Sequence, residues 1–390
     1  MSYSYRDFIF GELQELEQQN LVRRIPPVES GADKWLQYDG KQLLNLASNN
    51  YLGLAGRPEL KQAAIDATEK YGTSSGASRL ISGNYSLFDE LEQELREFKK
   101  QEDALVVGSG FTANLMILST LADRHTVVFS DKLNHASIVD GVRLSGAKHV
   151  RYRHNDMEHL AALMEKHADA PRKLLVTDSV FSMDGDLAEL TAIVELCERY
   201  QVLSVIDEAH AAGVMGKGRG LAAELGLSDR IDVHMGTFSK GLGSYGAYVA
   251  GKSDIIEFLR NKGRPFIFST ALPPATIGAN LAAVRLVRSE PELGERLGVM
   301  AGDVRRFLQQ LDLDTGPSQT AIIPVILGEN EAALKARDML MEQGIYVGAV
   351  RPPTVPQGTA RLRISLRADL TDADLSHFKQ AVSRMVDSLD

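Results

Sequence analysis

A single cysteine, Cys197, occurs in the 390 residues of the chain. This excludes an intrachain disulfide and a cysteine-based zinc cluster, and a reducing compartment fits. Long apolar runs are also missing. The longest uncharged stretches are Ala104–Ala122 and Pro265–Val284. The first is interrupted by Gly108, Ser109, Gly110, Thr112 and Asn114, the second by Pro265, Pro273 and Pro274, so neither reads as a membrane span. There is no excess of positive charge. Lys and Arg number 43 against 52 Asp and Glu, a net −9. That balance argues against broad binding of nucleic acid or an anionic membrane, though not against a local anion site. No repeat and no low-complexity tract is found. The segment Met1–Gln19 has no apolar core and carries Glu12, Glu15 and Glu17, so it does not read as a signal or transit peptide. Cytoplasmic location is the expectation.

What is present is ordinary for a globular protein: 44% hydrophobic and 24% charged residues. The length predicts two or three domains. Residues Tyr3–Leu21 form an amphipathic helical pattern with Phe8, Leu13, Leu16 and Leu21 on one stripe, stopped by Ile25-Pro26-Pro27. A second helix is expected over Pro58–Tyr71, with proline in its first turn and Gly72 at its end. Strand-like runs then follow at Ala104–Val107, Thr126–Ser130, His149–Arg153, Lys173–Asp178, Val202–Asp207, Asp232–Phe238 and Ala247–Ala250. Several are near-continuous Val, Ile and Leu, as buried parallel strands are. Helical segments such as Phe111–Ala122, Met157–His167 and Leu187–Tyr200 lie between many of them. The alternation predicts an α/β domain with a mostly parallel central sheet. From Pro273 two helical stretches run to about Leu311. Strands follow at Ala321–Leu327, Ile345–Ala349 and Arg361–Ser365, then a last helix over Asp372–Leu389. These read as a smaller α+β C-terminal domain. The expected division is an N-terminal helix and arm over 1–48, a large domain over 49–270 and a small domain over 271–390.

In open α/β sheets, ligands bind beyond the carboxyl ends of the strands. Polar or glycine-rich turns fall there five times: Gly108–Gly110, Asp131–His135, Asp178–Gly185, Asp207–His210 and Ser239–Gly241. Packing alone does not require this. The run Gly108-Ser109-Gly110-Phe111-Thr112-Ala113 fits G-x-G-x-x-A, with Asp131 21 residues past Gly110. A nicotinamide-dependent oxidoreductase would place Asp131 on a ribose, but would leave Lys240 unexplained. The more general reading is a phosphate held by glycine amides at a helix N-terminus. His149, His154, His159 and His167 share no single helix face, so they read as scattered surface histidines and no metal site is expected.

The deciding pair is Asp207 and Lys240, 33 residues apart and each at a strand end. A lysine can form a Schiff base with an aldehyde, and a nearby carboxylate keeps a pyridine nitrogen protonated. Together with a phosphate site at Gly110 and Phe111, they point to pyridoxal 5'-phosphate.

Further motifs are Ser48-Asn49-Asn50-Tyr51-Leu52-Gly53-Leu54, Asn134-His135-Ala136-Ser137, Val180-Phe181-Ser182-Met183-Asp184-Gly185-Asp186, Asp207-Glu208-Ala209-His210, Thr237-Phe238-Ser239-Lys240-Gly241 and Arg351-Pro352-Pro353-Thr354-Val355-Pro356. On these, the chain resembles the α-oxoamine synthases, fold-type I pyridoxal phosphate transferases, from Arg23 to Arg367. The resemblance implies that Lys240 is the Schiff-base lysine and acid/base, that Asp207 pairs with the pyridinium nitrogen, and that His135 stacks on the ring. It implies that Ser182 and His210 serve the phenolic oxygen or its surroundings. Thr237 and the amides of Gly110 and Phe111 would hold the phosphate. Arg363 would bind the amino-acid carboxylate, Asn49 would lie near it, and Arg23 and Thr354 would contact the acyl group. Arg361 and Arg363 share one strand face, and one of them has a structural reading. Arg23 has the alternative reading of a cation at a helix C-terminus. The family often has Glu at Asp178. The implied activity is decarboxylative condensation of L-alanine with a pimeloyl thioester of CoA or a carrier protein. Glycine with acetyl-CoA is the alternative within the family. A homodimer is implied, with active sites at the subunit interface and the loop Thr73–Ser78 reaching the partner's cofactor.

Overall fold

A computed structural model describes residues 4–23 and 25–388. Tyr3 and Leu389, the expected ends of the first and last helices, lie outside these. Two compact units are present. One comprises Asn49–Ser182 and Asp186–Val299, the other Met1–Ser48, Met183–Gly185 and Met300–Asp390.

The larger unit is built on a seven-stranded sheet. Its strands, numbered here in chain order, are β1 (Asp103–Val107), β2 (Thr126–Asp131), β3 (Lys148–Tyr152), β4 (Arg172–Asp178), β5 (Leu203–Asp207), β6 (Val233–Thr237) and β7 (Ala247–Gly251). The spatial order is β1-β7-β6-β5-β4-β2-β3. Only β7 runs antiparallel to its neighbours. The expected strands are all found, within a residue or so at each end. The apolar runs of β2, β4, β5 and β6 are buried on both faces, which is why they lack the alternation of a half-exposed strand. Helix Gly110–Leu121 packs its Ala113, Met116 and Ile117 into a core with Val128, Val176, Val205 and Met235 from the sheet.

The expected boundary at residue 270 falls at 299 instead. Helix Pro274–Ser289 packs along Pro58–Tyr71 and Ser86–Lys99. Gly278 makes this possible, because a Cβ there would meet the Ala63 carbonyl oxygen at 2.4 Å. Small residues let two helix backbones approach, and that contact holds the helix in the larger unit.

The smaller unit has two three-stranded sheets. One pairs the hairpin Trp35–Tyr38 and Lys41–Asn45 with Ile345–Tyr346. The N-terminal arm therefore belongs with the C-terminal segment. The other joins Ile322–Gly328, Ala360–Ser365 and Gly348–Val350, all antiparallel. The single strand expected at Ile345–Ala349 is split between these sheets. The first helix spans Tyr5–Gln18, opened by a capping box of Ser4 and Asp7. Its stripe is not buried: Phe8, Leu13 and Leu16 are exposed. No helix among the described residues is long and apolar enough to cross a membrane.

A buried ion pair lies beside β5. Glu208 is fully buried and its carboxylate lies 2.7 Å from Lys99 Nζ. It also accepts the Ala222 amide at 3.0 Å and faces His234 Nδ1 at 3.3 Å. Lys99 donates in addition to the Arg219 carbonyl. Gly220, at φ +111°, is obligatory here, since a Cβ would come within 2.2 Å of Glu208. Burial alone would raise the Glu208 carboxyl, but Lys99 and His234 outweigh it and hold it down to about 2. A depressed carboxyl contributes stability above its ordinary value that is lost as pH falls toward the depressed one. Stability should therefore fall with acid between pH ~4.5 and ~2, by about 1.4 kcal/mol per pH unit from this group. Lys99→Ala strands a buried anion, so urea denaturation at pH 7 should show a loss of about 3–5 kcal/mol. The acid-dependent fall should shrink in the variant, because Glu208 then loses the partner that holds it down. An unchanged urea midpoint would contradict this account of the pair.

Candidate active site

The larger unit gathers its polar residues beyond the carboxyl ends of β2, β4, β5 and β6. Asp207 ends β5 and is 3% exposed. One of its oxygens accepts the Ala209 amide at 2.8 Å, the other the Asn114 side-chain amide at 2.8 Å. The Asn114 amide also donates to Ser137 Oγ at 2.9 Å, and Ser137 Oγ lies 2.8 Å from His135 Nδ1. A hydrogen-bonded chain thus runs from Asp207 to the His135 ring. His135 is the N-cap of helix Ala136–Ser145. Its backbone N–H donates to Asp178 at 2.7 Å. Burial lowers the His135 pKa, with Lys240 adding to the effect and Asp207 opposing it, so the ring is neutral near pH 7. Asp178 ends β4 directly beside Asp207 in the parallel register. Burial, then the Asp207 charge, raises its pKa well above the ordinary carboxylate range and favours the protonated form.

Lys240 lies in the turn after β6. That turn is shaped by glycine: a Cβ on Gly241 would meet the Ala212 carbonyl oxygen at 2.6 Å, and one on Gly243, at φ +63°, the Ala55 amide nitrogen at 2.5 Å. Thr237, the last residue of β6, packs so close to helix Gly110–Leu121 that a Cβ on Gly110 would lie 2.6 Å from its methyl group. Ser109 caps that helix by accepting the Thr112 amide. The amides of Gly110 and Phe111 fall in the first turn, where helix geometry provides no internal acceptor. Phe111 is 44% exposed and meets the His135 ring edge-on at 6.3 Å. His210 Nδ1 lies 2.6 Å from Tyr51 Oη, which also donates to Asn49 Oδ1 at 3.2 Å. Ser182 follows Phe181, in a segment closed by pairing of Val180 with Leu187.

In the smaller unit, Arg363 is buried on strand Ala360–Ser365 and donates to Ser365 Oγ at 2.7 Å. Arg361 is bound to Asp184 Oδ1 at 2.5 Å and the Met183 carbonyl at 3.3 Å, partners that suit a structural role. Arg23 lies five residues past the first helix and is not its C-terminal cation. It lines a cavity of about 170 Å³ with Thr354, Arg351, Leu21, Val350 and Pro352.

The nicotinamide reading finds no support at Asp131, and one expectation changes. Asp131 is not free for a ribose: its oxygens accept from the Leu133 and Asn155 amides and face His154. His154 in turn is not a scattered surface histidine but sits between Asp131 and Asp186. Among the described residues, no group of three or more His, Cys, Asp or Glu could hold a metal ion.

The chain matches known proteins. The family model for class I and II aminotransferases matches residues 41–382. The chain belongs to that family. A Bacillus cereus protein provisionally named 8-amino-7-oxononanoate synthase is 49% identical over 377 residues, covering 96% of this chain and 95% of that one. A solved serine palmitoyltransferase from S. paucimobilis with bound PLP is 32% identical, with a TM-score of 0.90 over 97% of this chain and 98% of that one. The crystal structure of 8-amino-7-oxononanoate synthase from Francisella tularensis is 28% identical, with a TM-score of 0.74 over 89% and 98%. The protein is thus a fold-type I, pyridoxal phosphate-dependent enzyme of acyltransferase type.

The chemistry of the donor set fits that cofactor. Asp207 accepts from the neutral Asn114 and Ala209 amides, and its buried charge suits a cationic ring nitrogen. A helix N-terminus with an adjacent threonine suits a phosphate. Asn114 and Ser137 were not assigned roles from the sequence. Asn114 stands four residues after Gly110, the one polar side chain on the helix's otherwise apolar buried face, and that is the signal that could have found it. Asn114→Ala should weaken pyridoxal phosphate binding about tenfold or more, through loss of a hydrogen bond to a charged group. Asp178→Asn keeps an acceptor for the His135 amide and should bind the cofactor close to normally, whereas Asp178→Ala should not. Equilibrium titration of the apo-protein checks all three, and equal behaviour of Asn and Ala at position 178 would refute the hydrogen-bonding role.

Proposed function

We propose that the protein condenses L-alanine with a pimeloyl thioester, releasing CO2 and the carrier thiol, to give 8-amino-7-oxononanoate in biotin biosynthesis. The observation that carries the substrate assignment is the 49% identity over nearly the whole chain to the Bacillus cereus relative. When bound, pyridoxal phosphate supplies an electron sink for the electron pair left at the amino-acid α-carbon. Lys240 anchors the cofactor, then as a free amine takes the α-proton of alanine. The α-carbon bonds to the thioester carbonyl carbon and the thiol leaves. The bond to the alanine carboxylate breaks as CO2 departs, and Lys240 returns a proton to the α-carbon. Asp207 holds the ring nitrogen protonated, and the neutral His135 ring packs on the cofactor face. Thr237 with the Gly110 and Phe111 amides holds the phosphate, while Ser182 and His210 serve the phenolic oxygen. Arg363 and Asn49 bind alanine, and Arg23 and Thr354 the acyl group.

The same reading makes the enzyme a cytoplasmic homodimer with active sites at the subunit interface. Exposed apolar residues support the dimer, among them Phe8, Phe10, Leu13, Ile81 and Phe268. The loop Thr73–Ser78 is tied down rather than loose: Ser75 Oγ donates to the Ala271 carbonyl and the Ala271 amide to the Ala77 carbonyl.

Two measurements test the function. Borohydride reduction followed by peptide mapping should place the pyridoxyl adduct on the peptide containing Lys240, and an adduct on another lysine would sink the assignment. Steady-state assays of alanine, glycine and serine against pimeloyl-, succinyl-, acetyl- and palmitoyl-CoA should give the highest kcat/KM for alanine with pimeloyl-CoA. One methyl group is worth only about 1–3 kcal/mol, so alanine should lead glycine by roughly 10–200-fold. A higher value for glycine with acetyl-CoA or succinyl-CoA would overturn the substrate assignment and leave the condensation chemistry standing.

A further inference from the structure

His154 lies just past β3 and is not among the residues assigned to cofactor or substrate. Its ring is gripped from both sides. Nδ1 lies 3.0 Å from Asp131 Oδ1 and Nε2 2.8 Å from Asp186 Oδ2. Both aspartates are buried. The Phe181 ring stands edge-on to the imidazole at 4.4 Å. A neutral imidazole has one N–H and could donate to only one of two carboxylates. Two carboxylates on opposite ring nitrogens therefore select the doubly protonated cation. Burial opposes that charge, but the two aspartates outweigh it and carry the His154 pKa up to about 10.

Each aspartate ties this cation to a different part of the cofactor site. Asp131 ends β2 and its Oδ1 accepts the Leu133 amide at 2.8 Å, inside the turn that delivers His135. Asn134 secures the rest of that turn, donating to the Val176 carbonyl at 2.8 Å and accepting the Asp178 amide at 3.0 Å. Asp186 closes the segment bearing Ser182, since its carbonyl accepts the Phe181 amide at 3.0 Å. Asn155, in the left-handed region at φ +50°, reinforces both links. Its amide N–H donates to Asp131 at 3.0 Å, and its side chain to Asp186 and to the Leu187 carbonyl. Asp186 Oδ1 is buried with no hydrogen-bond partner among the described residues. The charge of that carboxylate thus rests on His154 and Asn155.

We infer that His154 is a positioning residue of the pyridoxal phosphate site: an Asp131–His154–Asp186 clamp that fixes the His135 turn and the Ser182 segment relative to each other. The inference rests on the cofactor assignment but not on the identity of the substrates. Without the central cation, two buried carboxylates lose their shared partner and the turns bearing His135 and Ser182 lose their common anchor.

The test uses His154→Gln in the full chain, with His167→Gln as a control. Apo-protein is titrated with pyridoxal phosphate at a temperature where circular dichroism shows both variants folded. The visible circular dichroism band of the bound cofactor is recorded as well. The clamp predicts at least tenfold weaker cofactor binding and an altered visible band for His154→Gln, and neither change for His167→Gln. A purely structural histidine would lower Tm while leaving the cofactor affinity and visible band of the folded protein unchanged, and that result would overturn the inference. Should His154→Gln not fold, Asp186→Asn retains an acceptor for the Nε2 proton and should show the same two changes at several-fold size. Wild-type affinity and band in Asp186→Asn would equally overturn it. Nitrogen-15 NMR of histidine-labelled wild type at pH 8 should show both His154 ring nitrogens protonated, and a neutral ring would refute the clamp. If the variants behave as predicted while no amino acid and acyl-CoA pair turns over, the functional assignment fails and the clamp stands.

Discussion

Much of the larger unit is arranged around one buried charge. Asp207 sits at the end of a central strand, almost without solvent. A carboxylate in such a place needs hydrogen bonds or a cation, or it takes up a proton. Asn114 and the Ala209 amide supply the hydrogen bonds. Supplying them constrains the neighbours. Helix Gly110–Leu121 must lie close enough for its fifth residue to reach β5. The same closeness presses Thr237 against Gly110, where only glycine leaves room. Asp207 and the helix turn whose amides suit a phosphate are thereby placed by the same helix.

Much of this was legible in the sequence, for a specific reason. Buried parallel strands are short, apolar and bounded by polar turns, so their carboxyl ends can be read directly. Asp131, Asp178, Asp207 and Thr237 each end a strand in the structure. Partners across the sheet were not legible. Nothing in the spacing joins Asn114 to Asp207, or His154 to Asp186, because those contacts depend on strand order and helix docking. The domain boundary shifted for a related reason. The prolines before helix Pro274–Ser289 mark where a helix starts, but not which unit it packs against, and that is decided by Gly278 meeting Ala63 and Ala67. The split of the expected strand at Ile345–Ala349 has the same cause, since two different sheets compete for adjacent residues.

Five carboxylates lie at or near the ends of β2, β4 and β5, and the protein treats each differently. Glu208 is balanced by Lys99 at 2.7 Å. Asp131 and Asp186 share His154. Asp178 is pushed toward its protonated form by burial and by its neighbour's charge. Asp207 is the remaining one, stabilised by neutral donors in its hydrogen bonds. This allocation has a chemical consequence. If Asp178 also carried a full charge, two anions would compete for one cation, and the ring nitrogen would share its proton between two acceptors. With Asp178 pushed toward its protonated form and Asp131, Asp186 and Glu208 each facing a cation, a cationic ring nitrogen at Asp207 is, under the proposed function, the complement of its charge. The two lysines stand on different elements: Lys99 ends helix Ser86–Lys99 and holds the buried ion pair with Glu208, and Lys240 follows β6 in a glycine-shaped turn. Under the proposed function, the lysine that balances a buried charge and the lysine that reacts therefore stand on separate elements of one unit.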